Sequence, residues 1–135
     1  MHVNLLIVDD HLPIIEGYKS ILSLNKSGYT IETTAATSLE KAYKIITQEP
    51  KTTFFDAVFI DADKENYINY FEMIIPKMNK GGIILSDNVL WSGKVLEPLN
   101  PKDASTKILL EYNLLLKNDS RVETVLLPIR DGLTV

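Results

Sequence analysis

Five short runs rich in apolar or β-branched residues, Val3–Val8, Thr30–Ala35, Ala57–Ile60, Gly82–Ser86 and Val122–Ile129, are spaced along the chain with helix-length segments between them. This alternation constrains the fold more than any other feature. Parallel neighbours need a crossover of a dozen or more residues, usually a helix, so strand and helix in repetition call for a mostly parallel sheet with helices on both faces. The first run, VNLLIV, is nearly continuous in apolar residues, as befits a strand buried on both faces. The segments between carry helical spacing: Ile14, Ile15, Tyr18, Ile21 and Leu22 after Pro13, and Leu39, Ala42, Tyr43 and Ile46 after a capping-box pair, Thr37 and Glu40. Tyr67, Tyr70, Phe71, Ile74 and Met78 share a further face that Pro76 distorts, with Gly81-Gly82 as the break, and a helix over 103–117 turns Ile108, Tyr112, Leu115 and Leu116 inward. The expected class is α/β, a doubly wound sheet of about five strands in a three-layer sandwich.

With 135 residues, 45% hydrophobic and 24% charged, the chain has the size and composition of one domain over 1–135 with a real core. A net charge of −4 without a Lys/Arg cluster argues against a nucleic-acid partner. The apolar start runs straight into Asp9 and Asp10 and is too short to span a bilayer, so no membrane partner is expected. The absence of cysteine excludes disulfides, thiolate zinc sites and a Cys nucleophile, and fits a cytoplasmic setting.

In such a sheet, ligands bind beyond the carboxyl ends of the strands, near the point where strand order reverses. The polar residues placed there are Asp9 and Asp10 after the first run, Asp61 and Asp63 after the third, and Ser86, Asp87 and Asn88 after the fourth. Any one of them alone is explained by capping or a turn. Together they would repel one another unless a hard, oxygen-ligated cation such as Mg²⁺ neutralised them.

Two resemblances enter here. Over about residues 3–50, NLLIVDDHLPIIEGYKSIL resembles a response-regulator receiver domain, with its strand, acidic pair and His-x-Pro. That resemblance implies a flavodoxin-like fold, Asp9 and Asp10 as Mg²⁺ ligands, Asp61 as phosphoacceptor, Ser86 as switch hydroxyl and a histidine kinase as partner. Over about Phe55–Val135, FDAVFIDADKENYINYF, GGIILSDNVLWSGKV and RVETVLLPIRDGLTV are similar to a metal-dependent class I O-methyltransferase of the catechol or caffeoyl-CoA type. That second likeness implies a Rossmann-like sheet, Asp61, Asp87 and Asn88 as metal ligands and Lys64 as general base.

Each resemblance departs from its family. The receiver lysine and fifth helix are missing, and neither the glycine-rich turn that cradles S-adenosylmethionine nor the acid after the second strand is found. The reading these departures imply is a recombined or engineered chimera, receiver-like over 1–50 and methyltransferase-like over 51–135. It has no full parental activity, is not an enzyme and binds no S-adenosylmethionine, but keeps a weak divalent-cation site for Mg²⁺. Its alternatives are a receiver phosphorylated on Asp61 and a methyltransferase fragment. Asp61 is common to both metal arrangements, Asp9 with Asp10 or Asp87 with Asn88, and the sequence does not separate them. Lys64 is expected to be solvated in the absence of a donor, His11 to start a helix, and Trp91 to have no catalytic role. Val135 leaves only a stub after Gly132, so self-association through the C-terminal sheet edge is expected.

Overall fold

The computed structural model describes residues 2–25, 27–48 and 53–135. The 50/51 boundary drawn between the two resemblances lies outside them. In chain order the elements are β1 (His2–Asp9), α1 (Leu12–Ser23), β2 (Thr30–Ala36), α2 (Leu39–Gln48), β3 (Phe55–Asp61), α3 (Tyr67–Ile74), β4 (Met78–Asp87), α4 (Ala104–Asn118), β5 (Leu126–Leu127) and β6 (Leu133–Thr134). Short 3₁₀ turns cover Lys64–Asn66, Ile75–Lys77 and Trp91–Leu96. All six strands join one sheet in the order β2-β1-β3-β4-β6-β5. The four long strands pair in parallel, whereas β6 pairs antiparallel with both β4 and β5. The sheet is the expected mostly parallel α/β sandwich with a Rossmann-like layout.

Alternation along the strands divides the sheet into two unequal faces. Leu6, Val8, Val58 and Ile60 point into the main core with Ala42, Ile46, Tyr67, Tyr70, Phe71, Leu109 and Tyr112, contributed by α2, α3 and α4. The opposite face holds α1, whose Tyr18 meets Phe59 edge to face at 5.4 Å between ring centroids. Ile83 on this second face remains 48% exposed.

Four local expectations need correction. The α2 cap is Ser38, whose Oγ accepts from the Lys41 amide at 3.2 Å, and not Thr37. The stripe read to Met78 stops at Ile74, because Pro76 lies in a 3₁₀ turn and Met78 already belongs to β4. Gly81 does not precede β4 but sits inside it at φ +80, where pairing jumps from Phe55–Met78 to Ala57–Ile83. The fifth run is not a parallel strand over 122–129: only Leu126–Leu127 form β5, and Val125 exchanges two backbone hydrogen bonds with Val135 at 2.8 and 2.9 Å. No helix among the described residues is long and apolar enough to cross a membrane.

Candidate functional site

Strand order reverses between β1, which leads to β2 on one side, and β3, which lies on the other. At the carboxyl end of this switch point Asp9 and Asp61 are direct register partners. A cleft of about 620 Å³ opens there, lined by Asp9, Asp61, Asp87 and Asn88 on the strand ends and by Tyr18, Phe59 and Arg130 among the walls. The sheet thus brings Asp9, Asp61, Asp87 and Asn88 together as the sequence reading expects.

Asp9 is 1% exposed, and its two oxygens differ. Oδ1 accepts from the His11 amide at 2.8 Å, while Oδ2 is buried without a hydrogen-bond partner. Burial pushes this carboxyl above its usual range; the His11 N–H opposes the shift and the charge of Asp61 adds to it. Asp10 is half-exposed, lies 3.0 Å from the His11 ring at Nδ1 and does not line the cleft. The oxygens of Asp9 and Asp10 and the His11 ring are close enough for a cation, but Asp10 is not among the residues that line the cleft with Asp61 and Asp87. The His11 carbonyl starts α1 by accepting from the Ile14 and Ile15 amides, as expected of that residue.

Lys64 departs from its expectation of a solvated amine. It is 7% exposed, and its Nζ donates to Asp61 Oδ1 at 3.0 Å, to Asn88 Oδ1 at 3.2 Å and to the Tyr67 hydroxyl at 2.5 Å. The 3₁₀ turn Lys64–Asn66 puts the lysine and the first residue of α3 on one side, so Lys64 and Tyr67 meet three positions apart. Tyr67 in turn donates to the Asp87 carbonyl at 2.8 Å, which ties the ends of β3 and β4 together through one hydroxyl. Burial holds that phenol far above the normal range, so it stays a neutral dipole. The Lys64 ammonium also lies 5.7 Å from the Trp91 ring centroid, which gives Trp91 a place beside the site that the sequence reading withheld. Trp91 belongs to a loop in which Asn88, Trp91, Ser92 and Gly93 all have left-handed backbones. Such conformations concentrate where surrounding structure overrides local preference.

Ser86 turns the other way. It is 1% exposed, and its Oγ shares a 2.6 Å hydrogen bond with Tyr112 in the main core, where burial pushes that phenol up to about 12. A residue with this orientation cannot face a group held by Asp61. Sequence reasoning missed Tyr67 and Arg130. Tyr67 read as core, although its spacing from Lys64 was the available signal. Arg130 sits in the IRDG turn, which carries no pattern of its own.

The donor chemistry fits a hard cation. Asp61, Asp87 and Asn88 offer two carboxylates and an amide oxygen around one cleft, which suits Mg²⁺, Mn²⁺ or Ca²⁺ and no thiophilic metal. The unpartnered, buried Asp9 oxygen fits a ligand that brings hydroxyl donors to the switch point.

Comparison with known proteins places the chain in a family. A family profile described as O-methyltransferase matches residues 18–135. Caffeoyl-CoA O-methyltransferase 5 of Nicotiana tabacum is 35% identical over 134 residues, covering 92% of this chain and 51% of the relative. Caffeoyl-CoA O-methyltransferase 1 of Arabidopsis thaliana is 38% identical over 100 residues, 68% of this chain and 38% of its own. The chain therefore spans about half the length, or less, of these relatives. Among solved structures, the O-methyltransferase from Bacillus cereus in complex with SAH superposes with a TM-score of 0.72 at 21% identity, over 97% of this chain and 71% of the other. The O-methyltransferase TomG from Streptomyces achromogenes, in complex with SAM, gives 0.70 at 22%, over 97% and 70%.

These matches correct four expectations. One family match spans residues 18–135 and one relative covers 92% of the chain, so neither a chimera nor a receiver domain over 1–50 stands, and with the receiver fall the phosphoacceptor role of Asp61, the switch role of Ser86 and the kinase partner. The expectation of a chain that is not an enzyme is overturned by relatives named as methyltransferases. The expectation that no methyl donor binds is overturned by neighbours of the same fold that hold SAM or SAH. Its physical error lies in placement: a missing glycine turn decides little in a chain matching half of its relatives, and the buried acid sits on β1, not after β2.

Proposed function

Because the chain belongs to the O-methyltransferase family, we propose that it carries the metal and acceptor side of a reaction that moves a methyl group from S-adenosylmethionine to a hydroxyl oxygen. The observation that carries the reading is the Lys64 amine, buried and aimed between Asp61 and Asn88 beside the switch point. Asp61, Asp87 and Asn88 would hold a divalent cation, which when bound lowers the barrier to losing the acceptor's hydroxyl proton. Lys64, whose Nζ is held in position by Tyr67, Asp61 and Asn88, would take this proton as the free amine, after its own ammonium proton has passed to solvent. Asp9 would hold the donor's ribose hydroxyls through its unpartnered oxygen. In this reading Asp10 and His11 take no chemical role; the His11 carbonyl starts α1. The cysteine-free composition supports a cytoplasmic setting, and the net charge of −4 supports a small-molecule acceptor over nucleic acid.

The test is calorimetric titration with S-adenosylhomocysteine and with Mg²⁺, followed by transfer of labelled methyl to catechol and to caffeoyl-CoA. Saturable binding of both ligands with Mg²⁺-dependent labelling is expected. A chain that binds neither and labels no catechol rules the reading out.

A further inference from the structure

Only two arginines occur in the sequence, and they differ sharply in surroundings. Arg121 is saturated: it grips Glu72 through two nitrogens at 2.8 and 3.0 Å and also binds Asp119. Arg130 is exposed and makes no ion pair with any described residue, although it lines a cleft that contains Asp9, Asp61 and Asp87.

Its backbone is held in an unusual state. Arg130 has φ 51, a left-handed conformation disfavoured for a side chain of this size. The turn that imposes it is closed by the Gly132 amide donating to the Ile129 carbonyl at 3.0 Å. It is also fastened to the loop just after Asn88, because the Leu90 amide donates to the Asp131 carbonyl at 2.9 Å and the Val89 amide to the Gly132 carbonyl at 3.2 Å. Gly132 packs so tightly there that a Cβ would stand 2.5 Å from Leu90 Cγ. The guanidinium is thus presented by a fixed turn at the rim of the acidic cleft, its charge unused inside the protein.

We propose that Arg130 is a specificity residue that receives an anionic group, a carboxylate or phosphate, on the methyl acceptor. The inference rests on the methyltransferase reading above and names its acceptor class. Carboxylates on the strand ends repel an anion, so a negatively charged acceptor is tolerated only if its charge sits away from them and beside a cation. Arg130 provides that place. Ile14, Tyr18, Phe59 and Ile129 form an apolar wall in the same cleft. The fitting acceptor is therefore a hydroxylated aromatic compound with its hydroxyl toward Asp61, Asp87 and Asn88, its ring on the apolar wall and its anionic group on Arg130. A planar, five-donor guanidinium suits either anion through paired hydrogen bonds.

The experiment titrates the full chain, in Mg²⁺, with S-adenosylhomocysteine, neutral catechol and anionic 3,4-dihydroxybenzoate. It is repeated on Arg130→Gln and on Arg130→Gly, the second of which the left-handed backbone favours, so a folding defect cannot account for its result. The expected result is that wild type prefers the anionic catechol by about tenfold or more, as one charge-assisted hydrogen bond supplies, and that added salt shrinks the preference. Both variants lose the preference and keep their affinity for catechol and S-adenosylhomocysteine. If the variants retain the preference, or if they lose S-adenosylhomocysteine instead, Arg130 does not read the acceptor. If wild type binds none of the three, the methyltransferase reading itself has failed and this inference falls with it.

Discussion

Asp9 and Asp61 stand opposite each other as register partners at the carboxyl ends of two adjacent parallel strands, yet only Asp61 is paired with a lysine. Asp61 accepts from the Lys64 ammonium at 3.0 Å, whereas Asp9 has the His11 amide and ring beside Oδ1 and keeps a buried Oδ2 without any partner. A buried carboxylate with one oxygen lacking a donor is disfavoured by burial and by its like-charged neighbour. Asp9→Asn is therefore expected to stabilise the ligand-free protein by about 1 kcal/mol, and Asp61→Asn, which strips a buried lysine of its anion, to destabilise it by about 2 kcal/mol. Denaturant unfolding of both variants checks the opposite signs, and two shifts in the same direction contradict the assignment.

Lys64→Met keeps the length and apolar stem of the side chain and removes the amine. The methyltransferase reading expects this variant to bind S-adenosylhomocysteine as wild type does, since no contact of Asp9 changes. Labelling of catechol falls by about a hundredfold or more, the share a positioned acid or base contributes. Single-turnover transfer measured against donor affinity separates the two effects, and a variant that transfers methyl at the wild-type rate removes Lys64 from the chemistry.

Much of this site is legible in the sequence because strand ends and ligands coincide in doubly wound sheets. Asp9, Asp61, Asp87 and Asn88 follow apolar runs, and the sheet delivers all four to one cleft. The direction of Ser86 was equally available from alternation, since it lies two residues from Ile84 on the core face. The misreadings of Lys64 and Tyr67 share one cause. Lys64 and Tyr67 are a polar residue and an aromatic that composition assigns to solvent and to core, and only their packing makes them one unit. The end of the sheet was illegible for another reason: Val122–Ile129 has strong β propensity, but antiparallel insertion of β6 and the short β5 are tertiary choices that propensity does not encode.

Two glycines in the chain are expected to respond oppositely to alanine. Gly132 has φ +84, and a Cβ there would meet Leu90 Cγ at 2.5 Å and Leu90 N at 3.0 Å. Gly132→Ala is expected to cost about 1–3 kcal/mol and to loosen the Arg130 turn from the Asn88 loop. Gly17 lies within α1 with nothing within 4 Å of a modest side chain, so Gly17→Ala is expected to add about 0.5–1 kcal/mol through helix propensity. Thermal unfolding of the pair measures both, and a stabilising Gly132→Ala would contradict the packing of that turn.

Asp56 gives a pH dependence of known sign. The Asn4 amide at 2.8 Å, and then Asn79 Nδ2 at 2.7 Å, hold its carboxyl below the ordinary 3.8. A depressed folded-state value means that the unfolded chain binds the proton first on acidification, so the stabilisation is complete above about pH 4 to 5 and is lost as pH falls through the folded value. Asp56→Asn should therefore flatten the acid limb of the stability curve and leave its neutral region with little slope change. An unchanged acid limb means that these two donors do not select the charged form.

The C-terminal edge yields the last expectation. β5 ends the strand order, so its outer backbone groups have no ladder partner among the described strands. Its side chains do not blunt the edge: Leu126 is 47% and Leu127 37% exposed, with Val125 at 59% and Ile129 at 55% beside them. No charge interrupts the stretch from Val125 to Ile129, and Pro128, which cannot donate, is its one protective residue. We propose that two copies meet here, with the edges pairing and these apolar side chains shielding one another. Because the driving surface is apolar, sedimentation should show a mass that rises with protein concentration and responds little to salt. Leu126→Lys places a charge on the shared edge, which costs desolvation in the dimer and almost nothing in the monomer, so the variant should sediment as a monomer at concentrations where wild type associates. Monomeric wild type across the same range, or a Leu126→Lys variant that associates equally well, excludes this edge as the contact.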